Sequence, residues 1–306
     1  MSHRDSLIKK NKELSKPMDL MNVGFVGVAG GSKALDVTSG GTLSTYGSYS
    51  VRTFLGSANA VVEGTGDIEV FLVAGAGAST SSGSGGGGGA IIKTNVFEIS
   101  NGTYPVVVGS GGAGNSTWTA GGTGADSSFN GISVEGGLGG GTVSGNCRSG
   151  TFPAGITGTI YGNKTAGTCT KAGGSGAGAV GNCGSAPTAG SGGSGIQLTN
   201  WDGTSYWYSG GGGSGTMSNY YTWKNAGNGI HSSGGGGAGH YAHGAAGNYQ
   251  LGSGGSGGRN SGGNGGFLRG GNGGANTGSG GGGGGYGTMQ DGNGGSGIVI
   301  LRWLTP

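Results

Sequence analysis

The sequence predicts a mainly β fold. A β-sandwich-like base carries stacked polyglycine-II-type helices in a long glycine-rich insertion, and a short N-terminal helix or tail precedes it. Three observations lead there. Glycine supplies 88 of 306 residues, roughly four times the usual share. Charged residues make up only 9% and apolar residues 32%, too little charge for charge-driven disorder and too little apolar surface for a large conventional core. A strong apolar strand, Ser296-Gly-Ile-Val-Ile-Leu-Arg-Trp303, then follows the glycine field. Glycine has the largest ordering cost and no side chain to bury, so such a field is a flexible linker unless backbone hydrogen bonds compensate. Extended helices with three residues per turn supply that compensation by packing backbone against backbone, as collagen chains do. Collagen itself is excluded by five prolines and the lack of a Gly-X-Y period. The closing strand makes the field an insertion whose two ends return to one sheet, which favours a packed lattice.

In chain order, residues 1–45 read as an N-terminal attachment segment. His3, Arg4, Lys9, Lys10, Lys12 and Lys16 accompany Leu7, Ile8 and Leu14, a short amphipathic helix stopped by Pro17 or else a basic tail. Residues 18–45 read as a connector or attachment strand. Residues 46–135 form a β-rich base module. Tyr49–Leu55 alternates, and Ala60–Val62 follows a turn. Ile68–Val73 is nearly continuously apolar, which suits a strand covered on both faces. Ala90–Ile92 and Val96–Ile99 come next. Asn101-Gly102 signals a hairpin whose returning strand is Thr103–Val108, and Ser127–Val134 reads as one more hairpin. Residues 136–295 form the glycine-rich lattice, and residues 296–306 hold the closing strand of the base.

The chain resembles a known family through motifs that occur in that family's order. They are Val51-Arg-Thr-Phe54, Ile68-Glu-Val-Phe-Leu-Val-Ala-Gly-Ala-Gly77, Gly85-Gly-Gly-Gly-Gly-Ala90, Tyr104-Pro-Val-Val-Val-Gly-Ser-Gly-Gly-Ala113, Gly121-Gly-Thr-Gly-Ala-Asp-Ser-Ser-Phe129 and Gly294-Gly-Ser-Gly-Ile-Val-Ile-Leu-Arg302. The set is similar to the glycine-rich domain of bacteriophage tail fibres and tail-tip adhesins, over about residues 46–306. The resemblance implies a β-structured base, stacked polyglycine helices and variable loops at one end that touch the host receptor.

Several chemistries are disfavoured by the residues themselves. Ala74-Gly75-Ala-Gly77-Ala-Ser-Thr80 follows an apolar strand but lacks the third glycine and a following helix, so it is not a dinucleotide site. Glycoside cleavage needs two neighbouring carboxylates. Between residues 136 and 290 the only acid is Asp202, against six cations, Arg148, Lys164, Lys171, Lys224, Arg259 and Arg269. No nucleophile motif is visible, so no catalytic residue and no cofactor is expected. The net charge of +3 and the lack of a later basic cluster argue against nucleic acid. Cys147, Cys169 and Cys183 match no zinc spacing, and their odd count leaves at least one thiol unpaired. A structural role and one local disulfide both stay open. No metal site is expected, His240 and His243 included.

The positive signal is aromatic. Trp201, Tyr206, Trp207, Tyr208, Tyr220, Tyr221, Trp223, Tyr241 and Tyr249 fall between residues 201 and 249, with His231, His240 and His243 among them. Displayed at the tips of glycine helices, they would offer large contact area at low entropy cost. The expected receptor-binding set is Trp201, Tyr206, Trp207, Tyr208, Tyr220, Tyr221, Trp223, His240, Tyr241 and His243. The competing reading has these rings plugging gaps between glycine segments or packing on a neighbouring chain. The expectation is a phage virion adhesin that binds a bacterial surface glycan or outer-membrane protein by multivalent contact. It would join other virion proteins through residues 1–45, as a homotrimer or as a lattice complete within one chain. A structural virion component such as a head fibre, decoration or collar protein is the alternative, and a bacterial surface protein a third. The basic N-terminus is followed by no apolar signal region. Synthesis in a host cytoplasm and release within a particle are therefore expected.

Overall fold

Cross-strand pairing of apolar and β-branched residues builds fifteen strands among the described residues, and no helix is found there. The computed structural model describes residues 33–80, 83–116, 119–141, 145–165, 169, 172–185, 188–215, 226–229, 251–266, 269–285 and 290–306. The strands are β1 (Asp36–Ser39), β2 (Thr42–Tyr46), β3 (Tyr49–Phe54), β4 (Ala58–Glu63), β5 (Gly66–Val73), β6 (Ile91–Thr94), β7 (Phe97–Ile99) and β8 (Gly102–Val107). They continue with β9 (Ser127–Phe129), β10 (Ile132–Val134), β11 (Gly150–Thr151), β12 (Gly158–Tyr161), β13 (Ile196–Thr199), β14 (Ser205–Tyr208) and β15 (Ile298–Leu304). A six-stranded sheet runs β1-β4-β8-β9-β10-β11, and a seven-stranded sheet runs β12-β6-β5-β15-β3-β2 with β7 added beside β5. The hairpin β13-β14 stands as a third sheet. The protein is thus mainly β, with several antiparallel sheets.

Alternation along β5 and β15 explains how the layers stack. Ile68, Val70 and Leu72 of β5, with Val299, Leu301 and Trp303 of β15, face the six-stranded sheet and meet Val62, Val106, Phe129 and Ile132 there. The intervening Phe71, Val73, Ile298 and Ile300 face the other way, into a second core with Trp201 and Tyr208. The central strands are therefore covered on both faces, as the apolar run Ile68–Val73 predicts. Their register sets Arg302 opposite Glu69, and the two pair as ions, Arg302 Nε reaching Glu69 Oε2 at 2.6 Å.

Two expectations need correction. Asn101-Gly102 does not close a hairpin between neighbours: β7 pairs with β5, whereas β8 pairs with β4 and β9. The turn carries the chain from one sheet to the other because Ile99 and Val106 both reach the shared core. Residues 36–46, expected within the attachment segment, are strands β1 and β2 of the two sheets. The buried Arg52 side chain ties them down, its Nε donating to Val37 O and its guanidinium to Gly40 O at 2.6 Å. Charge-assisted bonds to carbonyls satisfy this cation in place of a carboxylate. The expected helix over residues 1–16 lies outside the described residues.

Beyond the strands the glycine segments bond to one another with a three-residue rotation. In residues 85–90, Gly85 and Gly88 donate to Ala172 and Ser175, Gly86 and Gly89 to Gly281 and Gly278, and Gly87 and Ala90 to Leu138 and Glu135, at 2.8–3.3 Å. Residues 74–80 repeat the scheme. Ala74, Gly77 and Thr80 donate to Ala90, Gly87 and Ser84, Gly75 and Ala78 to Ala125 and Gly122, and Ala76 and Ser79 to Gly295 and Gly292. Each of these segments therefore donates to three neighbours in rotation, one taking every third amide. The lattice also draws on residues 74–80, 83–90, 109–115 and 121–125, so its boundary falls well before residue 136. Approach is so close that a Cβ on Gly86 would overlap the Gly77 carbonyl. Only glycine allows backbones that near.

Candidate ligand-binding groove

Alternation in β13 and β14 turns Ile196, Leu198, Tyr206 and Tyr208 toward the seven-stranded sheet. Tyr208 is fully buried and meets Phe71 edge-on at 5.1 Å between ring centroids. Its hydroxyl donates to Asn200 Oδ1 at 2.8 Å, and burial pushes its pKa up against that hydrogen bond. Trp207 points to the opposite side, half-buried over Gly257, and its backbone N–H donates to Gly257 O at 3.1 Å. Tyr206 is half-buried, with the Arg259 guanidinium 5.9 Å from its ring centroid.

The loop Asn200–Thr204 joins these strands. Thr204 N–H donates to Asp202 Oδ1 at 2.8 Å, and Gly203 N–H donates to Asn200 O at 3.0 Å. Gly203 sits at φ +81°, where a Cβ would strain the backbone and meet Tyr46 Oη at 2.8 Å. The loop is thereby laid against β2. Trp201, only 6% exposed, is held from behind by Arg302, whose guanidinium lies 4.8 Å from the Trp201 ring and 4.5 Å from the Tyr49 ring.

Between this loop and the sheet lies a groove of about 280 Å³. Its floor is Thr42 and Ser44 of the edge strand β2, Val51 and Thr53 of β3, and Ile300 of β15. Asn200, Trp201 and Asp202 form one wall, and Arg259 reaches in from the glycine field. The three ion pairs of the described residues, Lys33–Glu63, Arg148–Glu135 and Arg302–Glu69, do not involve Arg259 or Asp202. Asn200 is 7% exposed, and its Nδ2 has no acceptor among the described residues. The groove therefore offers a guanidinium with no carboxylate partner among the described residues, a carboxylate with one committed oxygen, and hydroxyls.

Of the aromatics expected at loop tips, Trp201 and Tyr208 are buried in the second core, while Tyr206 and Trp207 are half-buried. The sheet's outer apolar face recruits them because Val51, Phe71 and Ile300 would otherwise stand open. Tyr220, Tyr221, Trp223, His240, Tyr241 and His243 lie outside the described residues. Sequence reasoning missed Thr42, Ser44, Thr53, Asn200 and Arg259 as a group. The signal for the hairpin was present: Asp202-Gly203 between the alternating runs 196–199 and 205–208.

The remaining cysteines are now placed. Cys169 and Cys183 are bonded, with Cα atoms 5.9 Å apart. Cys147 is free and buried beside Ser209 and Gly89 O, and burial pushes its thiol up to about 12.

A family comparison matches residues 50–304 to the glycine-rich domain. The chain belongs to that family. The matched unit of this glycine-rich domain opens at Ser50 and closes at Leu304, on strands β3 and β15, which are paired with Trp303 opposite Ser50. Everything between them, the glycine lattice and the β13-β14 hairpin included, is thus enclosed by one strand pair. No curated protein matches the chain.

Proposed function

We propose that this glycine-rich domain is a bacteriophage virion protein, a tail-fibre or tail-tip adhesin that holds a bacterial surface receptor without catalysis. The observation that carries the reading is the groove. Its wall is the Asn200–Thr204 loop, held by the β13-β14 hairpin and laid against β2, and Arg259 lines it two residues beyond Gly257, whose carbonyl accepts the Trp207 backbone N–H. A site supported this way is pre-organised, which lowers the entropy cost of binding. We read the glycine segments as stacked polyglycine-II-type helices, a reading supported by their three-residue hydrogen-bond rotation.

A non-catalytic role is supported by where the acids are spent. Glu69 and Glu135 pair with arginines, Glu63 pairs with Lys33, and Asp126 accepts the Gly136 N–H at 2.8 Å. The Cys169–Cys183 bond suits a protein that works outside a reducing cytoplasm. The receptor is a surface glycan or an outer-membrane protein, and several copies per particle would convert weak contacts into tight adsorption. Residues 1–32 then remain as the segment for attachment to other virion proteins. A second reading, a head-fibre, decoration or collar protein that touches no receptor, is favoured by the burial of Trp201 and Tyr208.

Adsorption competition separates the two. The full chain, added in excess, blocks adsorption of the parent phage to its host if the adhesin reading holds. Unchanged adsorption in the presence of folded protein would refute it and leave the structural reading.

A further inference from the structure

We propose that the groove between β2 and the Asn200–Thr204 loop binds an acidic saccharide, a sugar ring carrying a carboxylate. This rests on the adhesin reading and names the ligand class of its site. Donors and acceptors in the groove match those of such a ring. Arg259 lines the groove and has no carboxylate partner among the described residues. A planar guanidinium in that position pairs with a planar carboxylate through two parallel hydrogen bonds. Arg259 thus asks the ligand for oxygen acceptors.

Asp202 asks for the opposite. Its Oδ1 accepts the Thr204 N–H, which leaves Oδ2 for a ligand that can donate. A phosphate dianion or an acidic side chain brings acceptors only and would be repelled there. Ring hydroxyls donate and accept, so one sugar acid satisfies Arg259 and Asp202 together. Thr42, Ser44 and Thr53 on the floor extend that hydroxyl-to-hydroxyl matching. The groove's size of about 280 Å³ sits at the small end of ligand pockets, near 300 Å³. It therefore takes one or two sugar units of a longer chain.

The test uses the full chain and two probes of equal length, a galacturonate oligosaccharide and its neutral galactose counterpart. Binding is followed by saturation-transfer NMR and calorimetry. The acidic probe binds, and the neutral one binds about tenfold more weakly or less, since a charge-assisted contact is missing. Arg259→Gln removes that preference, while the thermal melt changes little, since Arg259 has no ion pair among the described residues and its contact with the Tyr206 ring is a long 5.9 Å. Thr53→Val, a near-isosteric change on the floor, weakens both probes alike. Equal binding of both probes by the wild type, an unaltered preference in Arg259→Gln, or equal binding of a glutamate-rich peptide would overturn the proposal. If Arg259→Gln loses the sugar yet still blocks phage adsorption, the adhesin reading survives and the groove is not its receptor site. If neither protein blocks adsorption while the acidic probe binds, the adhesin reading fails alone.

Discussion

Gly86→Ala tests the lattice at its centre. Gly86 donates to Gly281 O at 3.0 Å and accepts from Gly212 N–H at 3.0 Å, so two neighbouring segments depend on its place. A third, residues 77–78, lies where the new methyl would go, and the added carbon would overlap the Gly77 carbonyl. Backbone offers no rotamer to swing away, so the segment must retreat. Separating it breaks or lengthens two to three buried backbone hydrogen bonds, each costing about 1–3 kcal/mol when its groups are left unpaired. The smaller unfolded-state entropy of alanine returns only about 0.4–1 kcal/mol. The expected net loss is about 2–5 kcal/mol, a large part of a domain's ~5–15 kcal/mol. At roughly 2–4 °C per kcal/mol for a chain of this size, the melting temperature falls by about 5–15 °C. Circular dichroism melts of wild type, Gly86→Ala and Gly56→Ala provide the comparison, because a Cβ on Gly56 meets nothing within 4 Å. Equal melting of Gly86→Ala and Gly56→Ala would refute the reasoning.

The remaining predictions concern the cross-link, the buried thiol and the loop. Replacing Cys169 and Cys183 by serine opens a crosslink spanning 14 residues and costs about 3 kcal/mol, read as a lower urea midpoint. At alkaline pH the sign follows from burial. Cys147 stays protonated in the fold up to about 12, whereas the unfolded thiol ionises from 9.0. The unfolded state then binds fewer protons, and stability falls as pH rises above 9.0 by about 1.4 kcal/mol per unit for this group. Tyr208 adds in the same direction, and Cys147→Ala removes the thiol's share of the slope in urea titrations. Gly203→Ala forces a side chain onto a φ of +81° and costs about 1–2 kcal/mol, lowering the melting temperature and displacing the Asn200–Thr204 loop from the groove.

Strands with clear alternation or unbroken apolar runs were legible in the sequence. β5, β15 and the β9-β10 hairpin fall within a residue or two of where Ile68–Val73, Ser296–Trp303 and Ser127–Val134 place them. β2 was not legible, because every residue of this edge strand is exposed and no burial period is written into Thr42–Tyr46. β1 depends on Arg52 reaching its carbonyls, a contact across 15 residues that no local pattern announces. Asn101-Gly102 specified a turn but not which sheet would take each strand. The aromatics misled because they were weighed by density: period two along β14 puts Tyr206 and Tyr208 on the buried side and Trp207 on the other. Glycine composition pointed to backbone packing, yet residues without side chains cannot say which segments become neighbours. The groove was hidden for a related reason, since Thr42, Thr53, Asn200 and Arg259 are far apart in sequence and meet only in the folded chain.

Hydrogen exchange of the glycine amides tests the central claim most directly, that the glycine field is an ordered backbone lattice. Slow exchange is expected at residues 74–80, 85–90, 209–212, 214 and 215, comparable to β5 and β15, because their amides are bonded to neighbouring segments. Exchange of those amides at the rate of an unstructured chain, with the strands still protected, would contradict it and return the glycine field to the status of a linker.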